Sequence, residues 1–316
     1  MSRTERDVAN REGSRDPNGD AALYFWGMPR FRFFFPWFDR KAFPVLAGVV
    51  VGLYLLEEVL TLREQHHSKV KRSLTNTAVA ATGFAVVRAA LLPAMVYAGD
   101  WSERRRFGLV HWLGLPPWAR TAAAFLLLDY TNYCWHVLTH RVPLLYRMHR
   151  VHHSDLDMDV TTGFRFHLGE QVFSIIFRGG MIALIGAPSR LVLGYEAIFE
   201  GCTAFHHSNL RLPTTVERQL ARVLITPRAH GIHHSIVEQE FNSNFGVVLP
   251  FWDWLHGTRC LDVPQEEITI GLPAWRDPDE LTVPFLHRMP LEPIRPWALP
   301  DGCVPRRLSS GRAALE

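Results

Sequence analysis

Four long apolar stretches, separated by polar and basic segments, dominate the first two thirds of the chain. Residues 43–60, 74–99 and 118–138 each have 18 or more positions, the length that an α-helix needs to cross the apolar part of a bilayer. The fourth stretch, residues 170–209, is broken near its middle by Gly-Ala-Pro-Ser, which favours two short helices forming a hairpin. The pattern predicts an all-α integral membrane bundle of about four spans, the last a broken hairpin. A soluble all-α protein with buried helices is the alternative, because charges interrupt the apolar stretches.

The remaining segments are polar and differ from one another in composition. Residues 1–22 carry no apolar run and are predicted to be a disordered polar tail. Residues 23–262 contain the four apolar stretches and form the predicted membrane-embedded domain. Residues 263–316 are rich in proline and are predicted to be a loose C-terminal tail.

Composition narrows the class of protein further. The chain has 316 residues, of which 47% are hydrophobic and only 21% charged, and its formal net charge is +3. That charge is too small to indicate a nucleic-acid partner, and no nucleic-acid-binding motif is present. The four cysteines are far apart and form no CxxC pair, which excludes a disulfide framework and favours a reducing compartment.

Histidines are concentrated in three groups at helical spacing, two of them beyond the third apolar stretch and one beyond the hairpin. Residues three and four positions apart lie on one face of a helix, so each group turns its rings in a common direction. Because both ends of a hairpin lie on one membrane face, the histidines between positions 136 and 153 and the pair His206 and His207 would meet on the same side. The groups have the forms HxxxH, HxxHH and HxxHH, and consist of His136 and His140, of His149, His152 and His153, and of His230, His233 and His234.

Eight imidazoles in this pattern indicate metal binding. Neutral imidazole is a ligand for zinc, copper, iron and nickel. Eight rings exceed the four ligands of a closed zinc site, so two metal ions are more economical than one. An all-nitrogen shell with open positions suits a redox metal that binds O2, although zinc is compatible with the same ligands. A pH sensor made of histidines would not require the repeated spacing.

Three further histidines lie between these groups. His167 follows the second group in "TTGFRFHLGE", and His207 lies in "FHHSN", where the hairpin returns. Each is predicted to be a metal ligand or to support one, whereas His206 is free to face outward.

The ordered motifs "DYTNYCWHVLTH", "YRMHRVHHSD", "TTGFRFHLGE", "FHHSNLRLP" and "PRAHGIHHS" together resemble the fatty acid hydroxylase/sterol desaturase superfamily, most closely its bacterial sterol desaturase-type branch. The resemblance covers roughly residues 129–258 and implies a helical membrane protein whose cytosolic histidine-rich cap holds two iron ions. Leu168 stands where the family usually has proline. The implied ligands are His136, His140, His149, His152, His153, His167, His207, His230, His233 and His234.

Several polar residues near the motifs are candidates for orienting the histidines. A ligating imidazole usually donates its second N–H to a carboxylate or a carbonyl. Asp129 is the first candidate, because it shares a helical face with His136, and Glu170 matches an acid of the family motif. Asn244 either orients a ring or closes a turn. Asp155 and Asp253 complete the set of acids considered.

The function that this resemblance implies is O2-dependent hydroxylation or desaturation of a C–H bond in a sterol, fatty acyl or carotenoid-like lipid. The chain has no nucleotide-binding GxGxxG and no haem-attachment CxxCH, so electrons would come from a separate ferredoxin- or cytochrome-type donor. The distribution of Lys and Arg among the loops does not indicate how the protein is oriented in the membrane. The need for reduced iron and cytosolic electron donors favours a histidine-rich face on the cytoplasmic side. The alternatives are a zinc-dependent membrane hydrolase and a non-enzymatic metal carrier or sensor.

Overall fold

A computed structural model describes residues 35–307, and the predicted disordered tail at residues 1–22 lies outside this range. Within the described residues the secondary structure is helical, and the only β pairings are two isolated bridges, Thr61 with Leu210 and Ser235 with Ile270. The predicted all-α class is therefore confirmed.

Three helical segments are long and apolar enough to cross a membrane: Phe38–Val59, Lys69–Trp112 and Leu168–Ile185. The first consists of a π-helical turn at Phe38–Ala42 and helix α1 (Phe43–Val59). The second consists of α2 (Lys69–Val86), a π-helical turn at Val87–Leu91, α3 (Leu92–Arg105) and the short α4 (Leu109–Trp112). The third is α7, Leu168–Ile185.

Four spans are not confirmed, because one of the predicted apolar stretches is not among the helices long and apolar enough to cross a membrane. Its helix, α5, is long and spans Pro117–Arg141. However, Asp129, Asn132 and His136 are buried along one side of it and give it a polar face. A polar face of this kind packs against other protein segments rather than against lipid.

The predicted break in the fourth apolar stretch is a tight turn between α7 and α8 (Ser189–His207). Gly186 ends α7 with a φ of +84°, a conformation that favours glycine. A Cβ atom at this position would lie 2.8 Å from the carbonyl oxygen of Phe107, so a larger residue would collide there. The two helices therefore form a hairpin, and its open end points toward the histidines.

The cap is built from short helices around the open end of that hairpin. Two buried arginines, Arg72 and Arg165, bind the aspartates of its first loop, where Asp155 Oδ1 accepts a 2.7 Å hydrogen bond from Arg72 Nε. The helices of the cap are α6 (Pro143–His153), α9 (Thr214–Leu220), α10 (Pro227–His233), α11 (Glu238–Phe241), α12 (Phe251–His256) and α13 (Val283–Arg288), with 3-10 turns at Val160–Phe164, Gln265–Glu267 and Met289–Leu291.

The C-terminal segment is packed, in contrast to the loose tail expected for residues 263–316. Leu286 and Met289 are fully buried in one apolar cluster with Val151 of α6. Arg150, also fully buried, donates hydrogen bonds to the carbonyl oxygens of Met289, Glu292 and Pro293. The prolines of this segment break helices but do not prevent packing, because its apolar side chains still reach the core. We call residues 263–307 the C-terminal strap.

Candidate metal centre

Nine histidines from four helices meet in two adjoining groups. Within each group, one ring nitrogen of every member lies within 4.8 Å of the others, so each group can hold a metal ion. Group one consists of His136, His140, His149, His153 and His233, and group two consists of His152, His207, His230 and His234.

The helices distribute these rings between the two groups. Helix α5 brings His136 and His140 to group one from positions four apart, and α8 ends at His207 in group two. Helices α6 and α10 each serve both groups, because adjacent histidines on a helix point about 100° apart. His153 and His234, one from each group, therefore lie with ring centroids 4.3 Å apart. The two groups are therefore in direct contact through their imidazole rings.

The distances between the ring nitrogens indicate coordination to a metal ion rather than hydrogen bonds between the rings. Three Nε2 pairs lie close together: His149 with His153 at 3.1 Å, His152 with His207 at 3.1 Å, and His207 with His230 at 3.0 Å. Two nitrogens bonded at right angles to one ion at about 2.1 Å would lie roughly 3.0 Å apart. Seven of the nine histidines also have a buried ring nitrogen without any hydrogen-bond partner: His136, His140, His152, His153, His230, His233 and His234.

Burial lowers the pKa of eight of these imidazoles and so favours the neutral form, which is the form that binds metal: His136, His140, His152, His153, His207, His230, His233 and His234. Burial, reinforced by the neighbouring rings, holds the pKa of His153 and of His234 well below the ordinary value of histidine. The same causes lower the pKa of His152. Neutral rings need not lose a proton when a metal binds, so the site has its lone pairs ready at neutral pH.

Outer hydrogen bonds orient several of the rings. His149 Nδ1 lies 3.1 Å from Glu170 Oε2, the only carboxylate that such a bond brings to the nine histidines among the described residues. Backbone carbonyls serve three other rings: Nδ1 of His136 donates to Phe245, that of His233 to Ser243, and that of His207 to Thr203, at 2.8, 2.7 and 2.8 Å. A bond at Nδ1 leaves Nε2 free to bind metal.

Three of the other predicted polar residues support the site from a distance. Asp253 accepts hydrogen bonds from the backbone N–H groups of Phe245 and Gly246, and so positions the carbonyl that holds His136. Asn244 has a φ of +49° and bonds to Ala229 and Cys260, so it closes a turn rather than orienting a ring. Asp155 belongs to the arginine cluster of the cap.

Asp129 does not hold His136, although the two share a helix. Its carboxylate accepts hydrogen bonds from Tyr195 Oη, Trp252 Nε1 and the backbone N–H of Leu249. The spacing of seven residues puts Asp129 and His136 on one face of α5. However, Nδ1 of His136 bonds to the carbonyl oxygen of Phe245 instead of to Asp129. Asp129 therefore ties the loop before α12 to α5 and α8.

His167 lies outside both groups. Its Nδ1 accepts a hydrogen bond from Gly169 N–H and caps α7, and its Nε2 lies 3.1 Å from the carbonyl oxygen of His287. With both nitrogens in use, His167 is left out of the proposed ligand set. His206, in contrast, does not face outward: it is 1% exposed, and its ring centroid lies 4.1 Å from that of His230. The adjacent histidines His206 and His207 at the end of the hairpin were the available signal in the sequence. Only the tertiary structure shows that both rings are buried.

Replacing Glu170 by glutamine tests the outer hydrogen bond to His149. Loss of the carboxylate weakens the fixed orientation and the basicity of the ring, so metal affinity is expected to fall about 10- to 100-fold. Competition with a graded series of chelators measures this change. Replacing Glu238, which lies on the exposed side of α11, by glutamine is the matched control. Equal chelator sensitivity of both variants and the unmodified protein would contradict the assigned role.

The arrangement is a histidine-rich centre that could hold metal, beside helices able to cross a membrane, and comparisons with known proteins show what the chain is similar to. Residues 121–258 match the profile of the fatty acid hydroxylase family. All nine clustered histidines lie within this segment. This segment therefore resembles the fatty acid hydroxylase family, as the motifs indicated.

Three relatives show the range of proteins to which the chain is similar. It is 33% identical over 133 residues to ornithine lipid hydroxylase OlsE of Rhizobium tropici, covering 42% of this chain and 39% of the relative. It is 29% identical over 144 residues to human cholesterol 25-hydroxylase (44% and 51%) and 28% identical over 178 residues to human alkylglycerol monooxygenase (56% and 37%). The chain thus aligns with between about two fifths and half of each relative. No solved structure matches it.

Proposed function

We propose that the protein is a membrane-bound monooxygenase that hydroxylates a C–H bond of a lipid, with one iron ion in each histidine group. The observation that carries the proposal is the pair of adjoining groups, with five and four imidazoles, beside helices able to cross a membrane. The three relatives are named for the oxidation of lipids, which supports both the reaction and the substrate class.

The iron ions would supply the activation of O2, which amino-acid side chains cannot perform. In the overall reaction, one oxygen atom enters the C–H bond and the other leaves as water, with the uptake of two electrons and two protons. The protein orients the ligands through the bonds at Nδ1 and surrounds the groups with apolar side chains. A separate ferredoxin- or cytochrome-type protein would supply the electrons.

Hydroxylation is the outcome that we propose in preference to desaturation, because the three relatives are named as hydroxylases or a monooxygenase. We also propose that the cap faces the cytoplasm, where reduced electron carriers are available. The open end of the α7–α8 hairpin, α6 and α10 all lie on the cap side, so a single orientation exposes the whole centre to the same compartment.

The two alternative functions are less well supported by the geometry. A zinc hydrolase needs about three protein ligands and one open position, which leaves most of the nine histidines without a role. A metal carrier would place ligands along the spans to form a path. Here the nine histidines lie at helix ends and in the cap.

Metal analysis and isotope labelling together test the proposal. Protein purified in detergent, without a histidine tag and without chelators, is expected to contain about two iron ions per chain. Incubation of membranes with 18O2 and a reducing system should produce lipids heavier by one 18O atom, detected by mass spectrometry. Zinc that resists replacement by ferrous iron, together with lipids that gain no 18O, would refute the oxygenase and favour the hydrolase.

A further inference from the structure

A charged cluster lies inside the α7–α8 hairpin, away from the cap. Arg178 of α7 pairs with Glu196 of α8, and the two residues are only 8% and 7% exposed. The guanidinium of Arg178 also lies over the ring of Phe199, 5.2 Å from its centroid. Because α7 is long and apolar enough to cross a membrane, this pair sits where charge is costly, and such charges usually have a functional reason.

The cluster is aligned with the metal centre along both helices. On α7, Arg178 lies eight residues after Glu170, the partner of His149, and both are on the buried face. On α8, Glu196, Glu200, Thr203 and His207 follow one another at helical spacing, so they share a face that ends at group two. At a rise of 1.5 Å per residue, Glu200 lies about 10 Å and Glu196 about 16 Å along the axis from His207.

Two side chains on this face of α8 lack a hydrogen-bond partner. Thr203 is 3% exposed, and its buried Oγ1 has no hydrogen-bond partner. Glu200 lies beside the ion pair, where it interacts electrostatically with Glu196 and Arg178. Among the described residues, no hydrogen bond reaches its carboxylate. The Arg178–Glu196 pair by itself would hold the hairpin together, so Glu200 adds an acceptor that the fold does not use.

We propose that Glu200, next to the Arg178–Glu196 pair, binds the polar end of the substrate lipid through a hydroxyl or ammonium donor. The inference rests on the proposed function and specifies its substrate: a lipid whose oxidised carbon lies about 10–16 Å from a hydrogen-bond donor. Because Glu200 is half-buried and accepts no hydrogen bond from the protein, a lipid that carries the donor is expected to bind more tightly than one that lacks it.

Binding of three lipids that differ only in the head group tests this inference. Hexadecan-1-ol, hexadecylamine and 1-methoxyhexadecane are offered to the purified protein in detergent, and their retention is measured by native mass spectrometry. The first two are expected to bind roughly 10- to 100-fold more tightly than the ether, the ratio for one hydrogen bond to a charged group. Glu200→Leu should reduce this ratio to about one. Glu103→Leu, on the exposed end of α3, is the control and should preserve the ratio.

Glu200→Gln distinguishes the two donors, because an amide still accepts a hydrogen bond but carries no charge. Selective loss of the amine would identify an ammonium, and equal retention of the alcohol would identify a hydroxyl. Metal content serves as the folding control, and if Glu200→Leu loses its metal, Glu200→Ala, which also lacks an acceptor, takes its place. Equal binding of the three lipids by the unmodified protein, or an unchanged ratio in metal-loaded Glu200→Leu, would overturn the inference. A preserved ratio in protein that never oxidises lipid would refute the proposed function alone.

Discussion

Replacing His233 by alanine is expected to remove the metal of group one, and replacing His234 by alanine is expected to weaken the metal of group two. The two residues are neighbours at the end of α10, but their rings belong to different groups. Each variant therefore serves as the control for the other, since both disturb the same turn of helix. Loss of a direct ligand should reduce metal affinity and turnover at least about 100-fold, more than loss of an outer partner does.

Metal content per chain and lipid hydroxylation, measured on the same preparations, test this expectation. Each variant should retain about one metal ion where the unmodified protein is proposed to hold two. Both should still insert into membranes, because neither residue lies in a helix able to cross a membrane. If both variants keep two ions and full turnover, the ligand assignment is wrong. If each loses both ions, the groups act as a single site.

Asp155→Asn is expected to destabilise the cap strongly. The carboxylate is buried and accepts hydrogen bonds from Arg72, Asn76 and Thr162. Removing its charge leaves the guanidinium of Arg72, which is 8% exposed, with only Asp159 as an ionic partner. Breaking a buried ion pair on one side costs about 3–5 kcal/mol. Thermal inactivation in detergent should show a lower Tm, and Asp279→Asn, which removes an exposed partner of Lys71, is the control.

The difference in Tm between the unmodified protein and Asp155→Asn is expected to depend on pH. Burial raises the pKa of Asp155, but the charges of Arg72 and Arg165 outweigh burial and hold the pKa well below its usual value. The unfolded chain therefore takes up a proton near pH 4, before the folded protein does. The extra stability of the unmodified protein is fully present above that pH and declines as the pH falls further. An equal gap in Tm at pH 7 and pH 3 would contradict this account.

Local helical spacing explains why most of the candidate site was predictable. His136 with His140, and His149 with His153, each enter group one together because four residues make about one helical turn. The turn at Gly-Ala-Pro-Ser was also predictable, because glycine and proline end helices for local steric reasons. These features depend on neighbours in the chain, so their outcome does not require knowledge of the tertiary structure.

Long-range choices were not predictable in this way. The partners of His136 and His233 are backbone carbonyls, and a carbonyl is present at every position of the sequence. Asp129 had the expected helical face but found Trp252, which is 123 residues away. Likewise, His167 caps α7 through Nδ1, and its Nε2 lies against the carbonyl oxygen of His287, which is distant in the sequence. Such competition between partners is decided by how distant segments pack.

The C-terminal strap has a consequence for the order in which the protein is made. Arg150 lies between His149 and His152 on α6, and its guanidinium is held by carbonyl oxygens that belong to residues 289–293. A ribosome completes those residues only after every histidine of both groups has been synthesised. During synthesis, α6 therefore remains without its final anchor while the nine imidazoles are already present.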